Sequence, residues 1–294
     1  LHLLSRRQRQ MCIRDSALTM ALSLAACGNS GGSSSSAPAD ASGSSSQANS
    51  STSSSSANTE SDLAYVQNKG TLVVGITEFE PMDYQNTDGE WIGFDADLAK
   101  EFAESLGVTV EFQLIDWDNK VMELDGKTID VVWNGMTLTE DVLAAMECSQ
   151  PYLINQQVVV VPADVAEDYQ TEESLADLNF AVEIGSAGCE VAQANGYSYT
   201  EVADQATALL EVASGTADAA IIDSLMAGAM IGEGTSYADM TSTVALTSEE
   251  YGVGFRKGSD LAATLNEFLS GKYADGSIQT LAETYGVQDA LVQE

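Results

Sequence analysis

Thr71–Ile76 reads TLVVGI, Asp95–Leu106 reads DADLAKEFAESL, and Val108–Leu114 reads VTVEFQL. The first is a short β-branched apolar run, the pattern of a parallel strand buried on both faces. In the second, Leu98, Ala99, Phe102, Ala103 and Leu106 recur at helical spacing, and Gly107 suits the helix C-terminus. The third alternates Val108, Val110, Phe112 and Leu114, as a half-buried strand does. Alternating strand and helix signals of this kind predict an α/β architecture with parallel sheets.

Outward from that unit the alternation continues. Ile129–Trp133 (IDVVW) and Gln157–Val161 (QVVVV, ended by Pro162) read as strands, and Thr139 can cap a short helix between them. Phe180–Ile184 reads as a strand running into Gly185-Ser186-Ala187-Gly188, with a helix from about Cys189. Asp204–Ser214 reads as a helix closed by Gly215, Ala219–Ile222 as a strand, and Ser224–Ile231 as a helix. Gly252–Arg256 reads as a strand, and Leu261–Ser270 and Ser277–Tyr285 as helices. In such sheets ligands bind beyond the carboxyl ends of the strands. That rule points to the loops after Ile76, Leu114, Trp133, Ile184 and Ile222.

The first 61 residues read differently. Leu1–Ser16 holds four arginines and the only histidine, without periodicity, and resembles translated sequencing-adapter sequence foreign to the fold. Ala17–Ala26 (ALTMALSLAA) is shorter than the roughly 20 apolar residues of a membrane span and has the length of a signal-peptide core. It runs into Leu24-Ala25-Ala26-Cys27-Gly28, which resembles the bacterial lipobox and predicts lipidation at Cys27. Asn29–Ser61, nearly all Ser, Gly, Ala, Asn and Thr, cannot bury enough apolar area to offset its entropy and reads as a tether. The folded body is then Asp62–Glu294.

The chain carries 45 acidic against 11 basic residues, a formal net charge of −34, and four of those basic residues lie before Ala17. That balance argues against nucleic-acid binding, which needs basic patches. Two cysteines fall in the body, Cys148 and Cys189, and sequence alone leaves open whether they pair. With no CxxC and no histidine after His2, neither a metal nor a cofactor is expected.

The loops carry further motifs. Gly93-Phe94-Asp95-Ala96-Asp97-Leu98 closely resembles the signature of bacterial extracellular solute-binding proteins of the polar amino-acid ABC uptake class. Gly126–Val132 (GKTIDVV), Gly135–Thr139 (GMTLT), Ser149–Tyr152 (SQPY), Gly185-Ser186, Ala217–Asp223 (ADAAIID) and Tyr251–Gly258 (YGVGFRKG) follow in the family's order. The resemblance covers nearly all of 63–294. It implies the two-lobed type II periplasmic-binding-protein fold, each lobe a mostly parallel sheet flanked by helices, with two crossovers. Lobe 1 would be 63–154 and 251–294, and lobe 2 would be 155–250. It further implies a monomer outside the cytoplasm, anchored by Cys27, that closes on an amino acid or amine-bearing solute and delivers it to a membrane permease. Hinge closure of this kind needs the closed state to bind ligand better than the open one.

The resemblance also implies the site. Phe79 and Trp117 would provide rings for the ligand side chain or a cation; each is otherwise a core aromatic. Asn134, Gly135 and Thr137 fall where relatives use carbonyls and hydroxyls to hold the ligand's polar ends; otherwise they form a capped turn. Ser186 opens a helix whose N-terminus suits an anion, and is otherwise part of a strand–helix turn. Glu183 falls where relatives line the side-chain pocket, and Glu78 and Glu80 flank Phe79. Asp223 would pair with the ligand's ammonium, or else cap the helix from Ser224. Asp218, Trp133 and Arg256 read as structural.

Two positions depart from the family. Val142 stands where an arginine usually clamps the α-carboxylate, and Ala187 where a hydroxyl is usual. The expected ligand is therefore cationic, or lacks a free carboxylate; the alternative is an ordinary amino acid whose carboxylate is held by Thr137, Ser186 and main-chain N–H groups. The competing classes are a fold-related dehydratase or lyase, with Glu183 and Asp223 as paired acids, and a receptor's sensing domain.

Overall fold

The computed structural model describes residues 61–293; Cys27, the apolar run before it and nearly all of the Ser-rich stretch lie outside the described residues. The chain runs through α1 (Asp62–Lys69), β1 (Thr71–Ile76), the short strands β2 (Tyr84–Gln85) and β3 (Trp91–Ile92), α2 (Phe94–Leu106), β4 (Thr109–Leu114), α3 (Lys120–Asp125), β5 (Val131–Thr137), α4 (Glu140–Ala145), β6 (Glu147–Cys148) and β7 (Leu153–Asn155). β1 lies between β4 and β5, parallel to both.

The chain then leaves this sheet. β8 (Gln157–Pro162), β9 (Asn179–Glu183), α5 (Ala187–Asn195), β10 (Ser198–Val202), α6 (Gln205–Ser214), β11 (Ala219–Asp223), α7 (Ser224–Met230) and β12 (Met240–Ala245) build a second sheet in the order β10-β9-β11-β8-β12. β13 (Glu249–Phe255) returns to the first sheet, antiparallel to β5, and α8 (Leu261–Asp275) and α9 (Ser277–Tyr285) follow. The chain thus crosses between sheets twice, at 155–157 and at 245–249. The two crossings are bonded to each other: the Leu246 N–H donates to the Gln157 carbonyl and the Gln157 N–H to the Thr247 hydroxyl, each at 2.8 Å.

Each sheet has a parallel centre (β4-β1-β5 and β10-β9-β11), as expected, but both are mixed. β8 and β13 arrive by direct crossings rather than through a helix, and so enter antiparallel to β11 and β5.

Strand faces alternate as the apolar runs require. Leu72, Val74 and Ile76 of β1, Val131 and Trp133 of β5, and Val158 and Val160 of β8 enter one large core with α2, α6 and α8. Val73, Val132 and Met136 face α3 and α4, together with Val142 and Met146. Val159 and Val161 face α5 with Phe180, Cys189 and Ala192. Burial on both faces is what the TLVVGI and QVVVV runs specify.

Several elements carry no such signal. β10 and β12 are half-exposed edge strands of mixed composition, and α1 is held by tertiary bonds from Arg256. β5 continues past Trp133 to Thr137 because β13 pairs with it, Tyr251 opposite Thr137. α8 runs on to Asp275, stopped by Gly276 at φ +76°. Asp218 accepts the Asn179 N–H at 2.9 Å, a structural role, and Trp133 is fully buried. Cys148 and Cys189 are both free thiols.

Candidate functional site

The carboxyl ends of the parallel strands from both sheets converge on one cleft of about 400 Å³, including the part open to solvent. All eight residues expected at the site line it. Phe79 follows β1, Trp117 follows β4, and Asn134, Gly135 and Thr137 end β5. Glu183 ends β9, Ser186 precedes α5, and Asp223 ends β11. Val142 and Ala187 line it as well.

Phe79 packs on Gly135. A Cβ at Gly135, where φ is +55°, would meet the ring at 2.5 Å, so glycine is required both by conformation and by contact. The Gly135 N–H donates to Asp95 at 2.7 Å, and the Tyr152 hydroxyl donates to the same carboxyl, so the Gly93–Leu98 motif holds the β5 loop in place. Asn134 is committed to that scaffold: its amide bonds the Thr77 N–H and hydroxyl at 3.0 and 2.7 Å. Ser186 caps α5, its hydroxyl accepting from the Cys189 N–H at 3.1 Å.

Asp223 does not cap α7, although it stands at the N-cap position. Its carboxyl accepts from the side-chain amides of Asn155, Gln157 (2.8 Å) and Gln205. The β11–β8 register, which sets Asp223 opposite Gln157, places it there. Burial, and next the charge of Glu249, push the Asp223 carboxyl up to about 7. Thr137 does not cap locally either; its hydroxyl donates to Glu249 at 2.8 Å.

Glu183 is buried at 3% exposure, and its Oε1 has no hydrogen-bond partner. Burial, then Asp223 and Asp204, push its carboxyl up to about 8. The folded protein therefore holds a proton on Glu183 that the unfolded chain has lost above pH 4.5. This contribution to stability is fully present below pH 4.5 and disappears as pH rises through about 8. Denaturant unfolding of the ligand-free protein is expected to show stability falling by a few kcal/mol across that window. The Glu183→Gln variant should give a flatter profile, and an unchanged slope in that variant would refute the assignment.

Five lining residues were not anticipated: Lys120, Met136, Thr139, Glu190 and Gln205; Gly185, from the Gly185-Ser186 motif, lines the cleft too. Lys120 is the one cation in the lining. It sits 4.6 Å from the Trp117 ring centre and donates to the carbonyls of Trp117 (3.2 Å) and Gly185 (3.0 Å), so it spans the cleft. Burial lowers its pKa, against the opposing pull of Glu183, Glu190 and Asp118. Thr139 reaches Glu190 at 3.4 Å on another part of the wall. Its three-residue spacing from Trp117 could have signalled Lys120; Glu190 and Gln205 lie on helices with no local mark of function. The cleft is acidic and aromatic as expected, but through Glu190 rather than Glu78 or Glu80, which do not line it. Arg256 lies elsewhere, on Asp62 and the carbonyls of Leu124 and Ile129.

Two α/β sheets joined by two crossings, with a cleft lined from both, define a binding protein of the type II periplasmic class. The chain belongs to the bacterial extracellular solute-binding proteins, family 3, whose family model matches residues 72–288. It is similar to the L-cystine-binding protein TcyJ of Escherichia coli (strain K12), 29% identical over 230 residues that cover 77% of this chain and 86% of that protein. A mutant of ArgBP from T. maritima shares its fold with a TM-score of 0.71 at 33% identity, covering 76% of this chain and 98% of that one. An ABC uptake transporter substrate binding protein from Streptococcus pneumoniae with bound histidine gives 0.72 at 28% identity, covering 80% and 99%. One enzyme, cyclohexadienyl dehydratase of Pseudomonas aeruginosa, is 25% identical over a shorter 173 residues, 57% of this chain and 65% of the enzyme.

Proposed function

We propose that this protein is the substrate-capturing component of an ABC uptake system, closing two lobes on an amino acid or related amine-bearing solute of net positive charge and passing it to a membrane permease. The observation that carries this reading is the buried Glu183 carboxyl, whose Oε1 has no hydrogen-bond partner, in a cleft with three acids, Glu183, Glu190 and Asp223, against the single cation Lys120. A buried acid without a partner is costly, and a ligand ammonium or guanidinium supplies the partner. Asp223 and Glu183 then hold the cationic groups, and Phe79 and Trp117 flank the ligand's apolar part. Thr137 and the loop of Asn134 and Gly135 hold its polar ends. Where Val142 replaces the usual arginine, Lys120 and the N–H groups at the start of α5 are left to hold a carboxylate.

Membership of the two sheets supports lobes at 63–154 with 251–294 and at 155–250, with the returning strand starting at Glu249. The lipobox supports an extracytoplasmic protein tethered through Cys27; Cys27→Ala is expected to lose incorporation of labelled palmitate, and retained label would refute the tether. The reading is capture without turnover. A thermal-shift panel of amino acids, amines and short peptides tests it: arginine-like or diamine ligands should give the largest shifts. Glutamate or aspartate as the tightest ligand would sink the cationic reading, and turnover lost on Asp223→Asn would restore the dehydratase alternative.

A further inference from the structure

Asp223 is not alone at the end of β11. Glu249, the first residue of β13, reaches it from the second crossing. Oδ1 of Asp223 and Oε1 of Glu249 share donors: the Gln157 side-chain NH2 bonds both, at 2.8 and 2.7 Å, and the Asn155 side-chain NH2 bonds both as well. Each oxygen therefore lies within two hydrogen bonds' reach of the other. The Asn155 amide is pinned in this orientation because its oxygen accepts from the Ser224 hydroxyl at 2.9 Å. Asn155 and Gln157 stand on the first crossing and Glu249 on the second, so the arrangement straddles both connections between the sheets.

Two carboxylates this close, inside the protein, disfavour double ionisation. The charges around them do not relieve this. Asp204 ahead of α6 and Glu190 from α5 add negative charge, Glu183 from β9 carries the proton that burial holds on it, and the Tyr251 hydroxyl is neutral. Lys120 acts on Glu183 and Glu190.

We propose that Glu249 is a further acid of the ligand site, whose charge, carried to Asp223 across the second crossing, keeps a proton on Asp223 when the cleft is empty, a proton released to solvent when a ligand ammonium arrives. This rests on the reading of Asp223 as the ammonium partner. The raised Asp223 carboxyl agrees with it. The pair then ties ligand charge to the crossings about which the lobes would close, because only a cation offsets the second negative charge.

The test is carbon-13 NMR of Asp-labelled protein, titrated with acid and base. In the empty wild-type protein the Asp223 carboxyl carbon should still be protonated at pH 6, and in Glu249→Gln its midpoint should fall by about one pH unit. Saturating L-arginine, the probe, should drive the wild-type Asp223 carbon to its ionised position at pH 6. An Asp223 carbon already ionised at pH 6 in the empty wild-type protein overturns the held proton, whether or not the variant folds. A Glu249→Gln midpoint equal to that of the wild type overturns the role of Glu249. An Asp223 curve that bound L-arginine leaves unmoved overturns proton release. If L-arginine does not bind, as judged by thermal shift, the failure belongs to the cationic-ligand reading, and the empty-protein curves still decide the pair.

Discussion

Asp223→Ala is expected to weaken the tightest ligand of the thermal-shift panel by more than a factor of about 100, measured by calorimetry. Removing one member of a buried, hydrogen-bonded charge pair costs about 3–5 kcal/mol, mostly because the other charge stays desolvated without a partner, and about 1.4 kcal/mol is a tenfold change in affinity. Folding should suffer far less. The carboxyl is already unfavourable where it sits, as its rise to about 7 records. The amides of Asn155 and Gln157 keep Glu249 as an acceptor, and only the Gln205 side-chain NH2 is left without one. Asp218→Ala, at an exposed position that accepts only a backbone N–H, is the control and should bind normally. Affinity within threefold of wild type in Asp223→Ala would remove Asp223 from the site.

The second large effect lies outside the cleft. Arg256→Leu is expected to destabilise the protein by about 3–5 kcal/mol at neutral pH. Arg256 is buried, pairs with Asp62 at 3.0 Å and Asp130 at 3.5 Å, and donates to the carbonyls of Leu124 (3.2 Å) and Ile129 (2.9 Å). It thereby ties α1, the end of α3 and the approach to β5 to the end of β13. Leucine fills part of the volume but strands two buried carboxylates, of which Asp130 keeps only Lys69 and the Val73 N–H. For a body of this size the loss corresponds to a melting point lower by about 10 °C. Arg256→Lys should recover little, because one ammonium cannot serve two acids and two carbonyls at once. Ligand affinity of the folded variant should be unchanged, since Arg256 does not line the cleft. A loss under 1 kcal/mol would mean that the buried network is not holding α1.

Much of the fold was legible because burial leaves a local record. TLVVGI and QVVVV are apolar throughout, since both faces of β1 and β8 are covered, and the Asp95–Leu106 spacing survives as α2. β10 and β12 leave no such record, since they face water on one side and carry the mixed composition of loops, whereas the edge strand β4 was legible from its alternation. The site divides in the same way. Residues at the carboxyl ends of strands were found because a strand end is a local event and the family motifs sit there. Lys120, Glu190 and Gln205 were missed because each occupies an ordinary helix position, and only the docking of one sheet's loops against the other's turns them inward.

The sequence by itself determined the α/β class and the strand ends that line the cleft, because periodicity acts within a few residues, and its family resemblance implied the aromatic and acidic residues expected there. Only the tertiary structure decided what those acids do. Glu183 is protonated by desolvation, Asp223 is drawn from its helix cap to three amides, and Glu249 is carried to it by a strand from the other sheet. Each of these depends on neighbours far apart in the chain and on a local dielectric that no window of sequence contains.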